Sequence, residues 1–184
     1  MATKINTISN ALLLIGDDTI NNLADGSQRG RVASALYDNI YEAELSTHPW
    51  YFARAVSQLA KLTEASTIDR WRNIFQLPTD LISIITFNPS SDYEIYGNKV
   101  YSNMNTLQID YIAKVSESKW PGYFAKLMEY ALAKEFAIPI RENTTTSELM
   151  YKMYLGMGQK ARALDSKQKI QRPIQSTPFL NVRN

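Results

Sequence analysis

The chain has no cysteine among its 184 residues, which excludes disulfides and thiolate zinc sites. It has a single histidine, His48, which with the lack of cysteine argues against a zinc site. No apolar run approaches the length of a membrane span. The opening Met1-Ala2-Thr3-Lys4-Ile5-Asn6 has no long apolar stretch of the signal-peptide kind. The seven glycines form no phosphate loop: Gly26-Ser27-Gln28-Arg29-Gly30 lacks both the lysine and the preceding strand that such a loop needs. There is no nucleophile-elbow motif, and no internal repeat or low-complexity run. No cofactor is expected.

What remains is ordinary in bulk and uneven in detail. Hydrophobic residues make up 45% and charged residues 21%, a profile that suits one domain with a sizeable core. Eleven tyrosines supply apolar bulk with a polar tip, fitting either core packing or protein contacts. The net charge is +2, but residues 160–184 hold Lys160, Arg162, Lys167, Lys169, Arg172 and Arg183 against Asp165 alone. A basic end on a mildly acidic body is a binding-arm pattern.

Periodicity divides the chain into helical halves, 3–48 and 119–166, around a β insertion at about 50–112. Thr3 caps a first helix whose stripe is Ile5, Ile8, Leu12 and Ile15, and Gly16 ends it. Residues 17–26 read as a polar loop. Asp25-Gly26-Ser27-Gln28 starts a second helix, with Val32, Leu36 and Ile40 inward beside Tyr37, Tyr41 and Leu45. Asp38 and Glu42 are like-charged neighbours on its outer side. Pro49 ends this helix.

Residues 50–60 read as a strand or extended connector, and Trp71 to Phe75 as an extended aromatic segment. Leu77-Pro78-Thr79-Asp80 is a turn or the start of a short helical turn, followed by a strand from Leu81 to Phe87. Tyr93-Glu94-Ile95-Tyr96 and Lys99-Val100-Tyr101 flank Gly97-Asn98, the pattern of a two-residue hairpin. Leu107, Ile109 and Tyr111 give a third strand, so a small antiparallel meander is expected. Pro121 opens a third helix, with Phe124, Leu127, Met128, Ala131, Leu132 and Phe136 on one broad face, and Pro139 is expected to stop it. Thr145-Thr146-Ser147-Glu148 is a capping box for a fourth helix, interrupted by Gly156 and Gly158. These glycines can admit a neighbouring helix or a neighbouring subunit. The fold class is α+β: four main helices packed as a bundle, a small antiparallel sheet between the second and third, and an extended C-terminal arm. Residues 1–166 form one domain and 167–184 the arm, which keeps the apolar anchors Ile170, Ile174, Phe179, Leu180 and Val182.

His48, beside Ser46 and Thr47, reads as a boundary residue before Pro49 rather than a catalytic base. The carboxylate pairs Asp17-Asp18, Glu42-Glu44 and Asp92-Glu94 read as solvated. Arg70, Arg72 and the basic end can touch phosphates, which keeps a nonspecific DNA-binding module open.

Four segments resemble the tail tubular protein A family of head-to-tail adaptors from short-tailed phages: His48-Pro49-Trp50-Tyr51-Phe52-Ala53-Arg54, Leu77-Pro78-Thr79-Asp80, the hairpin with its strand to Tyr111, and the alanine-rich helix from Pro121 to Phe136. The likeness runs over roughly residues 5–165. It implies a virion protein rather than an enzyme, made in the host cytoplasm. Such a protein forms a dodecameric ring beneath the portal protein. It extends the DNA channel, through which DNA passes without sequence-specific binding, and supports a tail nozzle protein. Lys167, Lys169, Arg172 and Phe179 are the expected portal-binding residues. A connector of another phage neck is the nearest alternative.

Overall fold

A buried aromatic cluster joins the two helical halves. In the computed structural model, which describes residues 2–168, helices α1 (Lys4–Leu14), α2 (Gln28–Ser46), α3 (Gly122–Arg141) and α4 (Thr144–Ser166) flank seven strands. Helix α3 packs against α1, α2 and α4. Phe124, fully buried on α3, meets Phe52 at 4.7 Å, Trp50 at 5.1 Å and Trp120 at 5.2 Å between ring centroids. Trp50 is itself fully buried, and its indole N–H donates to the Glu44 carbonyl at 2.9 Å. That bond satisfies an end carbonyl of α2 and turns the chain sharply after Pro49.

The N-terminal half follows its local signals. The Thr3 hydroxyl accepts from the Asn6 N–H, and the Ser27 hydroxyl accepts from the Gly30 N–H. Gly16 has φ +75°, as a left-handed stop requires. The polar loop that follows is pinned: Ser9 donates to the Ile20 carbonyl at 2.9 Å and accepts from its N–H at 3.3 Å. On α2 the deepest side chains are Ala33, Tyr37, Tyr41 and Leu45, whereas Val32, Leu36 and Ile40 lie half-buried beside them. Asp38 and Glu42 do not repel across open solvent. They pair with Lys4 at 3.1 Å and Lys114 at 2.6 Å, respectively.

The insertion holds two small antiparallel sheets where the sequence predicts one meander. A 3₁₀ turn, Tyr51–Ala53, leads into β1 (Arg54–Gln58) and β2 (Ala60–Lys61). β3 (Asn73–Gln76), β4 (Leu81–Asn88), β5 (Tyr93–Tyr96), β6 (Lys99–Ser102) and β7 (Gln108–Ala113) follow. One sheet has the order β1-β7-β4 and the other β2-β3-β6-β5. The β5-β6 hairpin forms as its sequence demands, with Tyr96 opposite Lys99 and Gly97 at φ +60°. β7, however, leaves the hairpin and inserts between β1 and β4. Alternation predicts a strand's faces but not its partner, and here the partners are distant in sequence. The sheets enclose a second core of Phe75, Leu77, Phe87, Val100, Leu107, Ile109 and Tyr111. Ile112 reaches into the helical core, and Val115 packs on both.

Two helix ends differ from expectation. Pro139 lies within α3, which runs on to Arg141 before Glu142 takes a left-handed conformation at φ +49°. A proline this close to a helix end removes a single amide hydrogen bond. Helix α4 starts before its capping-box sequence, because the Asn143 side chain accepts from the Thr146 N–H at 2.9 Å. It then runs unbroken through Gly156 and Gly158.

Removing the ring at the aromatic junction has a large expected effect. Phe124→Ala should lower the unfolding free energy by about 3–5 kcal/mol in urea denaturation. A loss below about 1 kcal/mol would show that the cluster does not join the halves.

Candidate assembly surface

Helix α4 is held along one narrow edge and exposed on both sides of it. Of its 23 residues only Met150, Gly158, Ala161 and Asp165 are buried. Gly158 sits under Arg162: a Cβ there would come within 3.4 Å of the Arg162 guanidinium.

One of the four is a carboxyl group. The Asp165 side chain has no solvent exposure. Its Oδ1 accepts from the Tyr123 hydroxyl at 2.7 Å, and its Oδ2 accepts from the Tyr51 N–H at 2.9 Å. Gln168 donates to the same Tyr123 hydroxyl at 2.9 Å. Tyr51 opens the 3₁₀ turn after Trp50, and the N-cap side chain makes no hydrogen bond there. Asp165 therefore caps from a distance of 114 residues a turn that has no local cap. An acid in the last turn of a helix opposes the helix dipole; these two donors offset that cost.

His48 borders this knot. Its Nε2 lies 3.5 Å from Asp165 Oδ2, is itself buried and makes no hydrogen bond among the described residues. Burial lowers the imidazole pKa, outweighing the pull of Asp165, while Arg162 and Arg54 push it the same way. The ring is thus neutral at pH 7, and the contact is not an ion pair. The nearby hydroxyls are committed elsewhere: Ser46 donates to the Ala43 carbonyl and Thr47 to the Glu44 carbonyl. The geometry is that of a structural tie, one that sequence reading did not find because its acid lies so far along the chain.

Glu44 corrects a second expectation. It is buried rather than solvated, and burial raises its carboxyl pKa against the opposing influence of Tyr154, Lys134 and Arg162. Asp17, Asp18 and Glu94 are compensated by neighbouring side chains. Arg29 reaches both Asp17 and Asp18, at 3.6 and 3.4 Å. Glu94 accepts from the Trp71 indole at 2.9 Å and the Tyr96 hydroxyl at 2.7 Å, and it pairs with Arg70. Arg70 is therefore engaged. Arg72 lines an open cleft of about 450 Å³ together with Lys61, Thr63 and Asn73.

The outer sides of α4 carry large apolar groups. Leu149, Tyr151, Met153 and Leu155 are each about half exposed, at 54, 51, 46 and 46%. Ile138, near the end of α3, is exposed at 52%. A groove of about 380 Å³ runs between Lys134, Glu135 and Ile138 of α3 and Ser147, Glu148 and Tyr151 of α4. A second, of about 250 Å³, is lined by Tyr130 of α3 and by Lys152, Met153, Gly156, Met157 and Lys160 of α4. On the edge strand β5, Tyr93 and Ile95 are exposed on one face and Tyr96 on the other. Isolated exposed apolar residues are commonplace, but apolar rows on both sides of one helix make α4 the candidate contact surface.

Of the residues expected to bind a portal, Lys167 is exposed at the C-cap of α4. Lys169, Arg172 and Phe179 lie outside the described residues. Among the described residues no three His, Asp or Glu side chains gather as metal ligands, and no helix is long and apolar enough to cross a membrane. No family model matches the chain, and no curated protein matches it.

Cutting the Asp165 tie should be costly. Asp165→Ala leaves the Tyr123 hydroxyl and the Tyr51 N–H without their acceptor, and an unfolding free-energy loss of about 3 kcal/mol is expected in urea titration. A loss under about 1 kcal/mol would mean that α4 is held by packing alone. The His48 contribution has a defined sign. A histidine whose folded pKa is depressed binds its proton more readily when unfolded, so stability falls as pH drops below about 6.5. Glu44, with a raised folded pKa, works in the opposite direction as pH falls toward the ordinary carboxyl range. The difference between wild type and His48→Gln isolates the histidine term. Wild type should lose stability faster than His48→Gln between pH 7 and 5, and parallel curves would contradict the assignment.

Proposed function

We propose that this chain is a structural subunit of a ring, the head-to-tail adaptor of a short-tailed phage. In this reading it sits beneath the portal protein, extends the DNA channel and carries the tail nozzle. The observation that carries it is the double apolar surface of α4. A helix anchored along one edge by a buried carboxylate, with Leu149, Tyr151, Met153 and Leu155 left in water, is suited to neighbours on either side. The order of elements, two helices, a β insertion and two further helices, agrees with the adaptor resemblance. The protein then acts without catalysis and without a cofactor, and its site of action is the virion neck.

The portal grip belongs to the segment that leaves α4 at Lys167. Lys167, Lys169, Arg172 and Phe179 supply charge and an aromatic anchor there, and the tail nozzle meets the strand cluster. The helices form the ring contact, with about twelve copies in the virion as the family resemblance implies.

One observation favours a second reading. The cleft lined by Lys61 and Arg72, with Glu64 as its one acid, offers cations to a phosphate backbone, as a nonspecific DNA-binding module would.

Mixing the chain with the portal protein of the same genome separates these readings. Native mass spectrometry and electron microscopy should show a stoichiometric ring on the portal. Removal of residues 167–184 should weaken that complex at least tenfold; unchanged binding would overturn the grip. No complex with the portal, together with duplex DNA binding that falls steeply with salt, would replace the adaptor reading with the second.

A further inference from the structure

The two sides of α4 differ in chemistry, and the difference specifies how copies of the chain meet. At about 100° per residue, Glu148, Tyr151 and Leu155 project to one side of the buried edge. Leu149, Met153 and Lys160 project to the other. The first flank and the adjacent end of α3 hold two carboxylates, Glu135 and Glu148, against the single cation Lys134. The second groove holds Lys152 and Lys160 and no carboxylate. Lys134 and Glu135 already pair at 2.6 Å. Glu148, Lys152 and Lys160 have no ion-pair partner among the described residues. Glu148 on the first flank and Lys160 on the second are thus left without a partner of opposite charge, and Lys152 lies between them, one turn from Glu148.

Shape follows the same division. Tyr151 stands out from the first flank, half exposed. The second groove is opened by Gly156, where an added Cβ would meet nothing within 4 Å, and it is floored by Met153 and Met157. Met side chains adapt to an inserted ring and make favourable sulfur-aromatic contacts.

We infer that the occupant of each groove is a second copy of this chain, docked head to tail. The Glu148 and Tyr151 flank of one copy enters the Met153, Gly156 and Lys160 groove of the next. A two-fold pairing through the second groove would set Lys152 and Lys160 against their own copies, which like-charge repulsion disfavours. A head-to-tail contact sets them against Glu148. Contacts between unlike patches generate rings when the rotation closes. This inference rests on the ring reading and assigns its subunit contact.

The absence of cysteine makes the contact directly testable. Ser147→Cys and Gly156→Cys place one thiol in each groove, the first nearly isosteric and the second at a position where an added Cβ meets nothing within 4 Å. The two variants are mixed in equal amounts, alone at high concentration and on the portal ring, and treated with a short bis-maleimide. A 147-to-156 cross-linked dimer is expected in the mixture, and little in either variant by itself. A ring that assembles without this cross-link, or one in which either variant links to itself as readily, overturns the inference and leaves the ring reading standing. If no self-association occurs in either condition, both fall. Charge reversal supplies a second readout. Glu148→Lys should weaken assembly roughly tenfold at low salt, and Glu148→Lys combined with Lys152→Glu and Lys160→Glu should restore it. Failure of the combined variant, when it is folded by circular dichroism, counts against the pairing.

Discussion

The outer surface of this protein depends on one buried carboxylate. Asp165 has few reasons to sit where it does: the last turn of a helix disfavours an acid, and burial disfavours a charge. It is held by the Tyr123 hydroxyl of α3 and the Tyr51 N–H of the 3₁₀ turn, so one side chain ties α4 to both the third helix and the entrance of the β insertion. Because the tie is made of directional hydrogen bonds, it fixes the rotation of α4 about its own axis. Apolar packing through Met150 and Ala161 would fix that rotation less sharply. The rotation in turn decides which side chains remain in water.

The same region shows how the chain passes from helix to sheet. Trp50 closes the end of α2 through the Glu44 carbonyl, and its ring lies against Phe124. Tyr41 holds the return path. Its hydroxyl donates to the Val115 carbonyl and accepts from the Val115 N–H at 3.1 Å, between β7 and α3. Entry to and exit from the insertion are therefore both anchored on α2. The two cores meet near Ile112 and Val115. An adaptor that transmits load between a head and a tail would gain from such a two-point attachment, since either strand path alone would act as a hinge.

Much of this was legible from local sequence. Thr3, Gly16 and Gly97-Asn98 act where their chemistry requires, and the mixed α+β class follows from periodicity. What was not legible is nonlocal. β7 alternates correctly, yet its partners β1 and β4 cannot be read from that alternation. Glu44 looked like half of a solvated pair, because no short-range feature marks its burial under α4. The Asp165 knot joins residues from four segments; the sequence marks His48 as a boundary residue and Asp165 as the lone acid of a basic end, and nothing local links the two. The start of α4 moved because Asn143 captures the Thr146 N–H before the Thr-Ser-Glu sequence can act. The exposed apolar face of α4 was hidden for a related reason. Apolar periodicity alone does not choose which stripe of α4 faces inward; Ala161 and Asp165 set the buried edge and leave Leu149 and Met153 outward.

The claim that α4 is a subunit contact can be tested at the side chains themselves. Hydroxyl-radical footprinting followed by mass spectrometry would compare Leu149, Tyr151, Met153 and Leu155 in the free chain and in the chain assembled on its portal ring. A fall in reactivity of several-fold at all four residues is expected, with Tyr37 and Trp50, already buried, unchanged in both states. Equal reactivity of the four residues before and after assembly would contradict a ring built through α4.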